Sequence, residues 1–223
     1  MSAIFPRWTN RLPRLIIIGA VLVGTALVAG GWYYLTPKYS RVGYKPIQPV
    51  GFSHATHNGQ LGIDCRYCHN AVEKSWYSNI PASGLCMNCH NQVLKDDPRL
   101  ALVRESAASG KPIPWVQIHR TPDFVYFNHS VHVNRGISCV ECHGKVNEMD
   151  EIYHYQPLSM TFCLDCHRNP AAKLRPLENI TDLNWKPPGQ TDEQRAQWQK
   201  IHGQTMMDDW KVESLQNCSA CHR

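Results

Sequence analysis

The hydrophobic pattern of the chain is uneven, with one long apolar run near the N-terminus and only short ones after it. The run from Leu15 to Leu35 contains 21 residues and no charge. At about 1.5 Å per residue, a helix of this length spans the roughly 30 Å hydrocarbon core of a membrane. We therefore predict a transmembrane helix at 15–35, preceded by a short basic segment at 1–14.

A basic start followed by an apolar run is also typical of a cleaved signal peptide. This run is longer than a usual signal core, and it ends in Trp32, Tyr33 and Tyr34, which fit an interfacial aromatic belt better than a small-residue cleavage site. We expect an uncleaved anchor; its contact with neighbouring membrane subunits stays open. Basic flanks remain in the cytoplasm, so the residues after the anchor are expected on the opposite side.

Beyond the anchor, the pattern Cys-x-x-Cys-His occurs five times and uses all 10 cysteines of the chain. Two cysteines three apart lie on one face of a helical turn, where both can form thioethers with one porphyrin, and the next histidine can bind its iron. Zinc half-sites or redox dithiols would not require a histidine in every copy. We therefore predict five covalently bound c-type haems. The thioether residues are Cys65, Cys68, Cys86, Cys89, Cys139, Cys142, Cys163, Cys166, Cys218 and Cys221. The proximal iron ligands are His69, His90, His143, His167 and His222.

The haem count sets the expected fold. Residues 40–223 cannot bury five porphyrins inside a conventional protein core, so the haems themselves must form much of that core. We predict a mostly α and irregular chain with very little β structure and one N-terminal transmembrane helix.

The formal charge of +5 does not indicate a nucleic-acid partner. Residues 1–40 contain four basic residues and no acid, so the remainder is close to neutral. Haem propionates would make the extramembrane part acidic. We expect no binding of nucleic acid.

An internal repeat precedes two of the motifs. Phe-x-His-x-x-His occurs at 52–57 and again at 127–132, and each copy is followed by Gly-Ile-x and a haem motif. A second motif follows each copy, which indicates two di-haem modules with pseudo-symmetric packing. The predicted segments are a cytoplasmic N-terminus (1–14), the transmembrane helix (15–35), a linker (36–51), di-haem module 1 (52–98), a connecting helix and extended segment (99–123), di-haem module 2 (124–175) and a C-terminal segment with the fifth haem (176–223).

Helix signals between the motifs are few. Asp97-Pro98 and Gly110 predict a helix near 98–109, and the segment 115–119 should be extended. Thr191 and Gln194 form a capping box for a helix that we expect to reach about His202 and to end at Gly203.

Seven histidines remain for the five distal iron positions. A His-x-x-His pair places both rings on one side of a helical turn, where one can bind the local haem and the other a neighbouring haem. The preferred distal ligands are His54, His57, His119, His129 and His132. The weaker alternatives are Met149, Met160, His154 and His202, of which the two histidines are interpreted as ordinary polar or surface residues. We expect all five haems to be six-coordinate; a single His/Met haem, if present, would be the fourth.

The duplicated units resemble class III multihaem cytochromes of the c3 and c7 type over roughly residues 52–167. The wider plan, with Trp115–His119, Phe124–Ser130 and Leu164–Pro170, is similar to the pentahaem cytochrome c subunit of alternative complex III. A six-haem relative in quinone reductase complexes shares much of this pattern, and the count of five favours the first family.

The resemblance implies an electron-transfer subunit of a quinol-oxidising complex in a bacterial cytoplasmic membrane, with its haems on the periplasmic side. It implies integral membrane subunits that bind quinol, an iron–sulfur subunit, and a mono-haem cytochrome c or another periplasmic acceptor. The chain by itself would be an electron carrier and not an enzyme. The alternatives are a subunit of another quinone oxidoreductase, a stand-alone membrane-anchored quinol dehydrogenase, and a catalytic multihaem reductase. The last would need an open iron position, and the surplus of histidines argues against it.

Overall fold

The computed structural model describes residues 5–35 and 41–222. The chain divides into two compact units, Met1–Tyr44 and Lys45–Arg223. The start of the predicted cytoplasmic segment and residues 36–40 of the predicted linker lie outside the described residues.

The first unit consists of a 3₁₀ turn at Arg7–Arg11 and helix α1 at Leu12–Leu35. The helix begins three residues before the predicted position because Pro13 fits the first turn, where no backbone donor is needed. It is long and apolar enough to cross a membrane, and its side chains are exposed within this unit. The predicted apolar helix is therefore present.

The second unit is built from short helices joined by irregular segments. Its α-helices are α2 (Cys65–Cys68), α3 (Ser83–His90), α4 (Ala101–Ser109), α5 (His129–Val133), α6 (Cys139–His143), α7 (Met160–Arg168), α8 (Asp192–Asp209) and α9 (Cys218–Cys221). A π-helical turn lies at Ala55–Gln60, and 3₁₀ turns lie at Pro98–Leu100, Val146–Glu148, Pro170–Ala172 and Leu177–Asn179. The described residues contain two isolated β-bridges and no strand, as predicted.

Apolar burial in this unit is slight. Among the described residues, the buried hydrophobic side chains are Val50, Val103, Ile113, Leu174, Ile180 and Leu183. The first three form one cluster around α3 and α4. A chain with so few buried apolar side chains fits a protein whose prosthetic groups supply most of the core.

The two copies of the repeat share a backbone plan and differ by one residue. Gly62 and Gly136 both have positive φ, of 68° and 80°, a conformation that glycine adopts without strain. Copy 1 has one more residue between its histidine pair and this glycine. The π-helical turn at Ala55–Gln60 absorbs that residue, because its hydrogen bonds skip five positions where those of an α-helix skip four.

The predictions for the two helices are confirmed at three of their four ends. Asp97 caps the turn that leads into α4, and Gly110 ends α4 with φ of 72°. Thr191 and Gln194 form the capping box of α8. The predicted end of that helix at Gly203 is wrong, since α8 continues to Asp209 and Gly203 is buried inside it.

Candidate functional site

Each Cys-x-x-Cys-His motif lies on a helical turn. In the first, third and fifth motifs the helix begins at the first cysteine, and the residue before it caps the turn. Asp64, Ser138 and Asn217 accept a hydrogen bond from a backbone N–H inside the turn. The second and fourth motifs lie inside α3 and α7, which begin three residues earlier. All five motifs thus place two cysteines on one helical face beside a histidine.

Three of the motif histidines are oriented by backbone carbonyls. The Nδ1 atoms of His69, His90 and His222 lie 2.7, 3.0 and 3.2 Å from the carbonyl oxygens of Asn79, Val93 and Phe124, respectively. A proton held on Nδ1 in this way leaves Nε2 free to bind a metal, which is the usual arrangement of a histidine ligand.

Three histidines of the His-x-x-His pairs are oriented in the same way. His57 and His132 contact the carbonyl oxygen four residues earlier, of Ser53 and Asn128, each at 2.8 Å from Nδ1. His129 instead contacts the carbonyl oxygen of Trp76, also at 2.8 Å. These rings therefore also present Nε2 to a metal.

Histidine rings come close to one another in three pairs whose centroid separations are similar. The ring centroids of His57 and His90 are 6.1 Å apart, and those of His132 and His167 are 6.2 Å apart. Those of His129 and His143 are 6.4 Å apart. Two imidazoles on opposite sides of one metal, each at about 2 Å from it, would have centroids roughly 6 Å apart. Each pair joins one motif histidine to one histidine of the repeat, so the residues present fit six-coordinate c-type haem.

The fourth histidine of the repeat, His54, is half-buried. Burial, followed by the charges of His69 and His57, lowers its pKa to about 4, so its ring is neutral at physiological pH. Its Nδ1 is buried and has no hydrogen-bond partner among the described residues. Neutral imidazole is the form that binds iron.

His119 and His154 lie close to the third motif. The ring centroid of His119 is 4.3 Å from that of His143 and 5.2 Å from that of His154. The shorter distance is too small for a metal between His119 and His143. His154 is 1% exposed, so of its two interpretations, as a polar or as a surface residue, the second is wrong. Burial lowers the pKa of His143 well below its ordinary value, and His119 and His129 lower it further.

The remaining distal alternatives lie in less enclosed places. His202 is exposed on α8, stacked on Trp198 at 4.2 Å with its Nδ1 on the Trp198 carbonyl. Met160 is 67% exposed. The carbonyl oxygen of Met149 accepts a hydrogen bond from the backbone of Ala55.

The cysteine thiols show which motifs are neighbours. A hydrogen bond joins Cys65 to Cys139, and it lowers the pKa of Cys65 and raises that of Cys139. Burial raises the pKa of Cys142 to about 12, and the neighbouring Cys166 and Cys163 raise it further.

Two further thiol pairs extend this series. Burial raises the pKa of Cys68, and the neighbouring Cys86 raises it further. Burial likewise raises the pKa of Cys163, and the neighbouring Cys221 raises it further. The motifs therefore neighbour one another in the order second, first, third, fourth, fifth.

A cluster of charges lies between the third and fourth motifs. Glu141, inside the third motif, contacts Lys173 at 2.9 Å and Arg175 at 3.3 Å. Arg175 is 6% exposed and lies 5.0 Å from the ring centroid of Trp185. Two cations contact one acid here, and the charge of Asp182 also acts on Arg175. Within the described part of the chain, no group of three or more His, Cys, Asp or Glu side chains is arranged to hold a bare metal ion.

Comparisons with known proteins indicate the family of the chain. A family model described as cytochrome c7 and related cytochrome c matches residues 125–223. The chain is also 32% identical, over 165 residues, to the multihaem cytochrome c subunit of menaquinone reductase from Nitratidesulfovibrio vulgaris (strain Hildenborough). That alignment covers 65% of this chain and 77% of the relative.

Proposed function

We propose, on the premise that this chain belongs to the multihaem c-type cytochromes, that it is a pentahaem electron-transfer subunit of a quinol-oxidising membrane complex of the alternative complex III type. Covalently bound haem supplies one-electron redox chemistry, and the chain supplies axial ligands, spacing and local charge. By itself the chain acts as a carrier and not as an enzyme.

The observation that carries this proposal is the set of three histidine pairs whose ring centroids lie 6.1–6.4 Å apart, each pairing a motif histidine with a histidine of the repeat. Haems that only transfer electrons have both axial positions of the iron filled, whereas a haem that reduces a substrate needs one open axial position. We assign His57 to the haem of His90, His132 to that of His167, and His129 to that of His143. By the symmetry of the repeat, His54 belongs to the haem of His69. The remaining distal position belongs to the haem of His222. Its candidates are His119, His154, His202, Met149 and Met160, of which His119 and His154 lie beside the third motif instead.

The neighbour order of the motifs supports a linear path. It places the second and fifth motifs at the two ends. Cys89 and Cys218, one in each of these end motifs, are exposed, whereas the other eight cysteines are half-buried. We propose that electrons enter at one end and leave at the other, where an iron–sulfur subunit and a mono-haem cytochrome c or other acceptor would dock.

The N-terminal helix supports attachment to a membrane. Residues 12–35 contain one charge, Arg14, near the start of the helix, and Arg7 and Arg11 precede them. We propose a single-pass anchor with its basic end in the cytoplasm and the haem segments (52–98, 124–175 and 176–223) on the periplasmic side, beside integral subunits that bind quinol.

A second candidate is a subunit that delivers electrons to quinone. The curated relative is named a menaquinone reductase subunit, which favours this direction. The same series of haems can conduct electrons in either direction, and the redox partners determine which direction is used.

Purification in mild detergent tests the proposal. We expect five haems per chain, no carbon monoxide binding after reduction, and co-purification of membrane and iron–sulfur subunits. The isolated complex should oxidise quinol with a cytochrome acceptor; quinone reduction without quinol oxidation would support the second candidate. A protein that emerges alone and binds carbon monoxide would contradict both.

A further inference from the structure

The two di-haem modules hold each other's ligand helices through matching contacts. We define clamp loop 1 as residues 73–76, which follow the first haem motif, and clamp loop 2 as residues 147–150, which follow the third. The turn that carries His54 packs on clamp loop 2, and the turn that carries His129 packs on clamp loop 1.

The matching contacts occur at the same offsets in both copies. The residue after His54 is Ala55, whose backbone N–H donates to Met149 at 3.0 Å. The residue after His129 is Ser130, whose N–H donates to Ser75 at 3.1 Å. In each case the acceptor is the sixth residue after the motif histidine of the opposite module. Chance contacts between unrelated loops would not repeat this register.

A second matched contact lies five residues after each ligand. Asn134 donates from its side-chain amide to the carbonyl oxygen of Glu73 at 2.9 Å. At the corresponding place, Gly59 lies so close to the carbonyl of Asn147 that an added Cβ would overlap its oxygen. Glu73 and Asn147 both stand four residues after their motif histidines.

Each clamp has one contact that the other lacks. The side chain of Ser53, next to His54, donates to the carboxylate of Asp150 at 2.6 Å. In the other clamp, His129 donates to the carbonyl oxygen of Trp76 from its backbone at 3.3 Å, and its Nδ1 lies 2.8 Å from the same oxygen. Both clamps therefore act next to the ligand ring itself.

The turns that carry the ligands are too short to fix these rings alone. Helix α5 has five residues and the π-helical turn has six, and isolated helices shorter than roughly 12 residues are marginal in water. The orientation of His54 and His129 must therefore come from what the turns pack against.

We propose that clamp loop 1 and clamp loop 2 are reciprocal positioning elements, each of which sets the first histidine ligand of the opposite module. Neither module completes its own iron coordination without the other. This inference rests on the proposed ligand role of His54 and His129, and it goes beyond that role by assigning a function to residues outside the ligand set.

The sharpest test uses Asp150, which belongs to module 2 but contacts the turn of module 1. We expect D150A to keep its full haem content and to bind carbon monoxide at the haem that H54A opens, with the same adduct spectrum and the same shifted potential. E148A is the matched control, because Glu148 lies in the same loop and carries the same charge but pairs with Lys145. It should bind no carbon monoxide.

A second variant acts from the other side of the same clamp. G59A places a methyl group against the backbone of Asn147, whereas G51A meets nothing within 4 Å. We expect carbon monoxide binding at about one haem per chain in G59A and at none in G51A. If G59A fails to mature, D150A decides the question alone.

The possible results separate this inference from the proposed function. Carbon monoxide binding by the wild-type protein, or fewer than five haems, would count against the pentahaem wire. The clamps are refuted if D150A and G59A retain closed haems, or if the haem that they open differs from the one opened by H54A.

Discussion

Replacement of Gly203 by alanine tests how α8 is held against the segment that follows the fourth motif. A Cβ at this position would overlap the carbonyl oxygen of Ala171 and lie 2.9 Å from its carbonyl carbon. Both atoms belong to the backbone, so they cannot rotate away. The helix must move, and Gln199, whose side-chain amide donates to Ala171 at 2.7 Å and to Leu174 at 2.8 Å, must move with it.

The expected loss of stability follows from three contributions. Overpacking costs about 2 kcal/mol, and a weakened pair of hydrogen bonds costs about 1 kcal/mol. The higher helix propensity of alanine returns about 1 kcal/mol. The net destabilisation of about 2 kcal/mol should lower the unfolding midpoint by about 6 °C in a unit of this size.

Thermal unfolding of the haem-loaded protein, followed by far-ultraviolet circular dichroism at one scan rate, measures this effect. G84A is the control, because Gly84 also lies in a helix and an added Cβ there meets nothing within 4 Å. It should be neutral or slightly stabilising. A G203A midpoint within about 1 °C of the wild type would refute the packing argument.

Three further predictions concern the haem sites. H57A should open one haem to carbon monoxide while the haem content stays unchanged, because His57 is the ring opposite His90. R175Q should lower the potential of a haem beside the third or fourth motif in a spectroelectrochemical titration, because a buried positive charge favours the reduced form. A hydrogen bond from Arg66 lowers the pKa of Asp64 to about 2. The contribution of this contact to folding stability is therefore present above the ordinary carboxyl pKa near 4 and is lost as pH falls towards 2. In acid-unfolding curves, D64N should therefore lose less stability than the wild type between these two pH values.

Each of these predictions has a clear contrary result. A closed haem in H57A would remove that residue from the ligand set. R99Q removes an exposed arginine of the same charge that pairs with Asp97, and an equal shift in R175Q and R99Q would exclude a local effect. Parallel acid curves for D64N and the wild type would mean that the Arg66 contact contributes nothing to folding.

Local signals in the sequence predicted local structure well. The capping box at Thr191 and the stop at Gly110 are confirmed because a cap is decided by residues within one helical turn. The prediction at Gly203 was wrong because, in the sequence, a glycine that ends a helix cannot be told from a glycine that allows close approach of a neighbouring backbone. Only the contact with Ala171, 32 positions earlier, distinguishes the two.

The parts of the candidate site that depend on residue spacing were predictable from the sequence, and the parts that depend on tertiary packing were not. The motif residues and the repeated histidine pairs follow from offsets along the chain, and the structure brings the rings of His57 and His132 near those of His90 and His167. His154 is buried with its ring 5.2 Å from that of His119, a neighbour that no spacing rule predicts. Its position between Tyr153 and Tyr155 was the one sequence signal of an enclosed ring.

The scarcity of buried apolar side chains has a consequence for how the protein is made. Six such residues in the described chain offer little free energy for collapse before the thioethers form. The newly synthesised polypeptide should therefore stay unfolded and accessible for haem attachment, and equally accessible to proteases. Its lifetime before haem attachment would depend on the rate of haem supply. Haem starvation should therefore lower the amount of the polypeptide as well as the haem absorbance.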